Sequence, residues 1–177
     1  MSDKDPPSWR AAERLLDEFS ICEHWMTTKV RTVAPTDSTE KARDCLKRYR
    51  INQLPVVAGG KLLGILTDRD IRSSMGLRGR AAAPMAEQRV QSVMSRPAIA
   101  LGCHSTLLNA AEVMRHSRIG AVPILRGEKL VGIVTRSDIL DAFVGLANGR
   151  YYRIPPKRSL IRKWPQTKAA PPQASRN

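Results

Sequence analysis

Residues 50–71 and 118–139 are two copies of one string. Aligned without a gap at an offset of 68, they agree at 11 of 22 positions: Arg50, Ile51, Pro55, Gly59, Lys61, Leu62, Gly64, Ile65, Thr67, Asp70 and Ile71, each with its partner. Agreement at that level marks an internal repeat. The same offset carries Met26 onto Met94 and Ala42 onto Ala110, so the unit begins near residues 25 and 93 and runs for about fifty residues. Two copies make a pair rather than a solenoid, and the fold has to be built from two similar units that bury faces against each other.

Within each copy, apolar residues fall at helical spacing over 39–49 and 107–117, and Ser38 and Thr106 stand where N-caps belong. Short apolar runs at 53–57 and 121–125 are separated by glycine-containing turns from runs at 61–66 and 129–134, which reads as two hairpins. A second helix begins at Thr67 or Thr135. The expected unit is strand, helix, strand, strand, helix, an α/β (α+β) class, with Lys29, Val30 and Arg31 on the first strand. The chain then divides into an N-terminal segment at 1–24, a first unit at 25–75, a linker at 76–89, a second unit at 90–145 and a basic tail at 146–177. In the N-terminal segment Trp9, Ala12, Leu15, Leu16, Phe19 and Cys22 share one helical face. Five prolines in the tail predict that it lacks regular structure.

Hydrophobic residues make up 42% of the 177, enough for a real core. Lys and Arg number 30 against 16 Asp and Glu, and the surplus gathers at the end: Asp141 is the last acid, and eight cations follow it. There is no run of eighteen apolar residues and no apolar stretch near Met1, so a soluble, cytoplasmic protein without a membrane contact is expected. Cys22, Cys45 and Cys103 are odd in number and lack CxxC spacing, and are expected as free thiols. Cys22-x-His24 and Cys103-His104 each offer two ligands at most, short of a structural zinc set, so no metal is expected. Neither a phosphate loop ending in Lys and Ser or Thr nor a Gly-x-Ser-x-Gly nucleophile motif occurs. An enzyme is not expected.

Each copy ends its last strand in Gly-Ile-x-Thr-x-x-Asp: Gly64 to Asp70 and Gly132 to Asp138. A Thr followed three residues on by an acid satisfies the first free amides of a helix, which is a structural reading sufficient in itself. The same groups suit a ligand, because helix-start amides attract phosphate and a carboxylate accepts from a ribose diol. Local chemistry leaves both open.

The string Arg50-Ile51-x-x-Leu54-Pro55-Val56-Val57, followed by Gly60-Lys61-Leu62-Leu63-Gly64-Ile65-Leu66-Thr67-Asp68-Arg69-Asp70-Ile71, resembles the CBS domain family, and the second copy is similar. The resemblance covers about residues 25–141. It implies two units packed through their sheets about a pseudo-twofold axis, with two clefts that bind AMP, ADP, ATP or a related adenosyl ligand as a regulatory nucleotide rather than a catalytic cofactor. It further implies that each cleft draws on both copies. The favoured site joins Thr135 and Asp138 for the ribose to Asn52 and Gln53 for the base, with Lys29, Val30 and Arg31 alongside and Arg69 near the phosphates. The second joins Thr67 and Asp70 to Gly120 and Ala121, with Ala98, Ile99 and Ala100, and has Ser137 where the first has Arg69. With fewer cations it is expected to bind more weakly.

The resemblance implies a homodimer and an unidentified effector protein as partners. A reading of a different class is nucleic-acid binding by the tail, where Tyr151, Tyr152 and Trp164 lie among Arg and Lys. A third is a ligand-free dimerisation scaffold.

Overall fold

The computed structural model describes residues 21–76 and 84–147. The amphipathic helix expected over residues 8–23 lies outside the described residues as far as residue 20, and within them Ile21 is extended and a separate short helix begins at Cys22; the basic tail lies outside the described residues. The elements are α1 (Cys22–Trp25), α2 (Thr39–Tyr49), β1 (Gln53–Ala58), β2 (Lys61–Thr67), α3 (Asp68–Gly76), a 3-10 turn at Val90–Ser92, β3 (Leu101–Gly102), α4 (Leu107–His116), β4 (Ala121–Arg126), β5 (Lys129–Thr135) and α5 (Arg136–Ala147). Among the described residues no helix is long and apolar enough to cross a membrane.

The local signals act where the sequence puts them. The Ser38 hydroxyl accepts from Lys41 N at 3.2 Å, and Thr106 and Asn109 exchange both bonds of a capping box. Ala42 and Leu46 on α2, and Ala110 and Met114 on α4, are four residues apart and buried, so each helix lays one face on its strands. β1 pairs with β2 and β4 with β5, both antiparallel, and both ladders slip by one residue at the same place, Val56/Val57 and Ile124/Leu125. The first hairpin turns on Gly59 and Gly60, at φ 55° and 78°, backbone angles that residues with a Cβ adopt at a cost.

The sheet runs β1-β2-β5-β4-β3. Its centre is one antiparallel pair, Lys61 with Lys129, and these residues are 68 apart, so the pseudo-twofold axis passes between them. Two further pairs are related by the same axis. Thr27 bridges to Ile133 and Ser95 bridges to Ile65, so the segment leading into each copy pairs with the last strand of the other. The cores are divided accordingly. Cys22, Trp25 and Met26 pack with Val122, Ile124 and Val134 of the second copy, while Val90, Val93 and Met94 pack with Leu54, Val56 and Leu66 of the first. Each fully buried side chain of this kind contributes about 1.5–3 kcal/mol, and neither half retains its core alone.

This exchange corrects one expectation. Lys29, Val30 and Arg31 form no strand. Thr27 is held by β5 of the other copy, and residues 28–32 run from there to Val33, which bridges to β1 of its own copy. The first copy's leading strand shrinks to one parallel bridge, Val33 to Val56, and the second copy's to β3, parallel to β4. Part of the linker is structured too: Thr39 Oγ1 donates to Met85 O at 3.0 Å and Gln88 is 8% exposed.

Candidate ligand-binding cleft

Thr67 and Thr135 are the last residues of β2 and β5, and α3 and α5 start immediately after them. In the first copy Asp70 Oδ2 accepts from Thr67 N at 2.8 Å and from Thr67 Oγ1 at 2.7 Å, while Thr67 Oγ1 accepts from Asp70 N at 3.1 Å. In the second, Asp138 Oδ2 accepts from Thr135 N at 2.7 Å and Thr135 Oγ1 at 2.8 Å. The capping reading of Thr-x-x-Asp is therefore realised. The two acids differ in depth: Asp138 is 1% exposed, whereas Asp70 is half-buried.

Both helix starts open on one cleft of about 1030 Å³, the size of a pocket for a small organic ligand. Thr135, Asp138, Asn52, Gln53, Lys29, Val30, Arg31 and Arg69 all line it, as do Thr67, Asp70, Gly120, Ala121, Ala98, Ile99 and Ser137. Ala100 is not on its wall, because the chain there is already turning into β3. The two sets expected in separate clefts share a continuous space. At its middle the Gln53 amide faces Gly120, with Nε2 3.6 Å from the point a Cβ there would occupy.

Six further charged residues line the cleft and were not singled out from the sequence: Arg50, Asp68, Arg72, Arg118, Arg136 and Asp141. Arg50 and Arg118 are the two described non-glycine residues with positive φ, at 52° and 54°. Such a conformation is uncommon for a residue with a Cβ and persists where the surroundings hold it. Their identity across the repeat was the available signal. Arg136 stands where the first copy has Asp68, and its guanidinium donates to Ile119 O at 3.0 Å, beside Gly120. Asp68 is in turn paired with Arg72 at 2.7 Å. Asp68 N donates to Asn52 O and Arg136 N to Gly120 O, both at 3.2 Å, so the start of α3 lies beside Asn52 and the start of α5 beside Gly120. Arg31 lies 4.1 Å over the Tyr49 ring, a cation–π contact that holds its side chain at the rim.

Away from the cleft, Glu23, Cys103 and His104 bring an oxygen, a sulfur and a nitrogen within 4.8 Å of one another. The three cysteines are free thiols.

The CBS domain profile matches residues 21–76 and 90–145. The CBS domain-containing protein YhcV of Bacillus subtilis is 35% identical over 121 residues, covering 68% of this chain and 84% of that one. Inosine-5'-monophosphate dehydrogenase of Korarchaeum cryptofilum is 31% identical over 118 residues, 66% of this chain but 23% of the enzyme. Among solved structures, the CBS domain pair of protein MJ0100 in complex with 5'-methylthioadenosine and S-adenosyl-L-methionine superposes with a TM-score of 0.64 at 26% identity, covering 72% of this chain and 98% of that one. Two profile matches, related by the 68-residue repeat and joined through the Lys61–Lys129 axis, make this chain a member of the CBS domain family, carrying one CBS pair.

Proposed function

We propose that the cleft is the receptor for an adenosine-containing nucleotide, and that the protein is a regulatory sensor whose conformation or association changes with occupancy. One observation carries the reading: the two Thr-x-x-Asp helix starts and the residues 52–53 and 120–121 opposite them line one cleft whose wall also holds seven Lys and Arg side chains. Helix-start amides and Arg bind phosphate, and carboxylates accept from a ribose diol. The MJ0100 pair, solved with two adenosine compounds, supports an adenosyl ligand. The favoured half is that of Thr135, Asp138, Asn52 and Gln53, to which we assign Lys29, Arg31, Arg50, Arg69 and Arg72. The half with Thr67, Asp70, Gly120 and Ala121 keeps Arg118 and Arg136. A ligand that binds one arrangement of the two repeats better shifts the population toward it, and the exchanged core segments tie both repeats to that shift.

The test is calorimetric titration of AMP, ADP and ATP into the protein and into Asp138→Ala and Asp70→Ala. Both acids also cap helices, so circular dichroism has to show each variant folded. Saturable heat lost in Asp138→Ala and mostly spared in Asp70→Ala supports the asymmetric sensor. No heat from any of the three with folded protein rejects nucleotide sensing in this cleft.

A further inference from the structure

The turn after β3 carries Cys103 and His104 side by side. Cys103 N donates to Leu125 O at 2.9 Å and Ser105 N to Gly102 O at 3.0 Å, which fixes the turn against β4. Cys103 lines a surface hollow of about 630 Å³ together with His104, Asn109 and Arg126. Glu23 arrives from α1, eighty residues earlier, because Cys22 N donates to Ser105 O at 2.8 Å and Ile21 bridges to Thr106. In sequence Cys103-His104 supplies two ligands; the fold adds a carboxylate from elsewhere in the chain.

We propose that Glu23, Cys103 and His104 form a binding site for a divalent transition-metal cation of the zinc class, separate from the nucleotide cleft. Thiolate with imidazole selects such ions over magnesium or calcium, and three protein ligands with a water is an open zinc arrangement. Metal–ligand bonds of about 2.0–2.3 Å set tetrahedral donors about 3.5 Å apart, so the present spacing has to close by about an ångström. His104 is exposed and free to rotate by that much. The Glu23 carboxylate is now paired with the Arg126 guanidinium, which supplies the positive charge that the cation would bring. Arg126 has 61% of its side chain exposed and can swing into solvent. Binding releases the Cys103 thiol proton to solvent and leaves a thiolate–metal bond. The bound ion would staple the segment at 21–25 to the second repeat.

The experiment is titration of Co²⁺, then Zn²⁺, into the full metal-free chain, followed by near-ultraviolet absorption for the thiolate-to-cobalt charge-transfer band and by thermal unfolding. One equivalent of Co²⁺ is expected to raise the band, Zn²⁺ to displace it, and Zn²⁺ to raise the melting midpoint. His104→Ala and Glu23→Gln are each expected to weaken binding by more than the roughly tenfold that loss of an outer partner costs, and Arg126→Ala to tighten it. Cys103→Ser should abolish the band; because that thiol is buried, His104→Ala and Glu23→Gln carry the test if Cys103→Ser does not fold. A wild-type protein with no band, a band unchanged in both folded variants, or a band lost in Cys45→Ser overturns the site. Nucleotide titration reads the other cleft, so failure of one proposal is distinguishable from failure of the other.

Discussion

The carbonyl oxygen of Ser95 lies 2.6 Å from the point where a Cβ on Gly64 would stand. That oxygen is the acceptor for Ile65 N at 3.0 Å, and Ser95 N donates back to Ile65 O at 2.9 Å. Glycine is thus required where the leading segment of one repeat crosses the last strand of the other. Gly64→Ala is expected to destabilise the protein by about 1–3 kcal/mol, because the obstacle is backbone and cannot rotate aside. Urea unfolding checks it: the midpoint should fall with the slope unchanged. An unchanged midpoint would show that the crossing is not held as described.

The repeat made most of this fold legible in the sequence. Both hairpins and the equivalence of the copies follow from residues 50–71 and 118–139, and both capped helices from the apolar spacing and caps at 38–49 and 106–117. The crossing at Thr27 and Ser95 was not legible, since pairing partners 106 and 30 residues apart in sequence leave no local periodicity. The same crossing is why the first strands are short. In the cleft, the residues of the Thr-x-x-Asp motif and those before Leu54-Pro55 and Val122-Pro123 were implied by the CBS resemblance, and they line its wall. Arg50 and Arg118 were passed over because a left-handed arginine looks, in sequence, like any surface cation. Glu23 could not be joined to Cys103 and His104 without the α1 contact.

Thiol chemistry separates the three cysteines. Cys22 and Cys103 are 0% and 4% exposed, while Cys45 is half-buried on α2. Burial also pushes the Cys22 thiol up to about 11, away from the reactive thiolate at neutral pH. Ellman titration of the native protein at neutral pH is expected to show one fast equivalent, removed by Cys45→Ser, with the other two released on unfolding. Fast reaction of all three would contradict the packing of α1 on the second repeat.

Asp37 and Lys41 give an acid-side signature. The bond from Lys41 Nζ, at 2.6 Å, holds the Asp37 carboxyl below its ordinary value, against a smaller opposing effect of burial and with help from Ala34 N. A carboxyl depressed in the folded state contributes stability above its unfolded value, and that contribution is lost as pH falls toward the folded one. The pair is open to solvent, so its worth is below about 1 kcal/mol. Asp37→Asn should be slightly less stable than wild type at pH 7, with the gap closing below about pH 4. Denaturant unfolding at both pH values reads the difference, and a gap that persists in acid would assign it to shape rather than charge.

Arg69 and Ser137 are equivalent positions, 68 residues apart, at the starts of α3 and α5, and both are exposed on the cleft wall. If phosphate placement follows fixed cations, exchanging these two residues should shift phosphate binding toward the half with Thr67 and Asp70. Arg69→Ser is expected to weaken ATP more than AMP, because an extra phosphate gains most from a guanidinium in reach. Ser137→Arg in that background puts a guanidinium next to Arg136 and should restore ATP binding in the half with Thr67 and Asp70. Dependence on the acids is then shared: in the double variant Asp70→Ala and Asp138→Ala each remove part of the calorimetric heat, because Lys29, Arg31, Arg50 and Arg72 are unchanged. Since Arg136 already stands in the second half, partial ATP binding there is expected in Arg69→Ser alone, at an affinity more sensitive to salt than that of the restored site. Heat that depends on Asp138 alone in the double variant, with Asp70→Ala without effect, would show that the acids and the residues at 52–53, rather than the cations, decide which half fills.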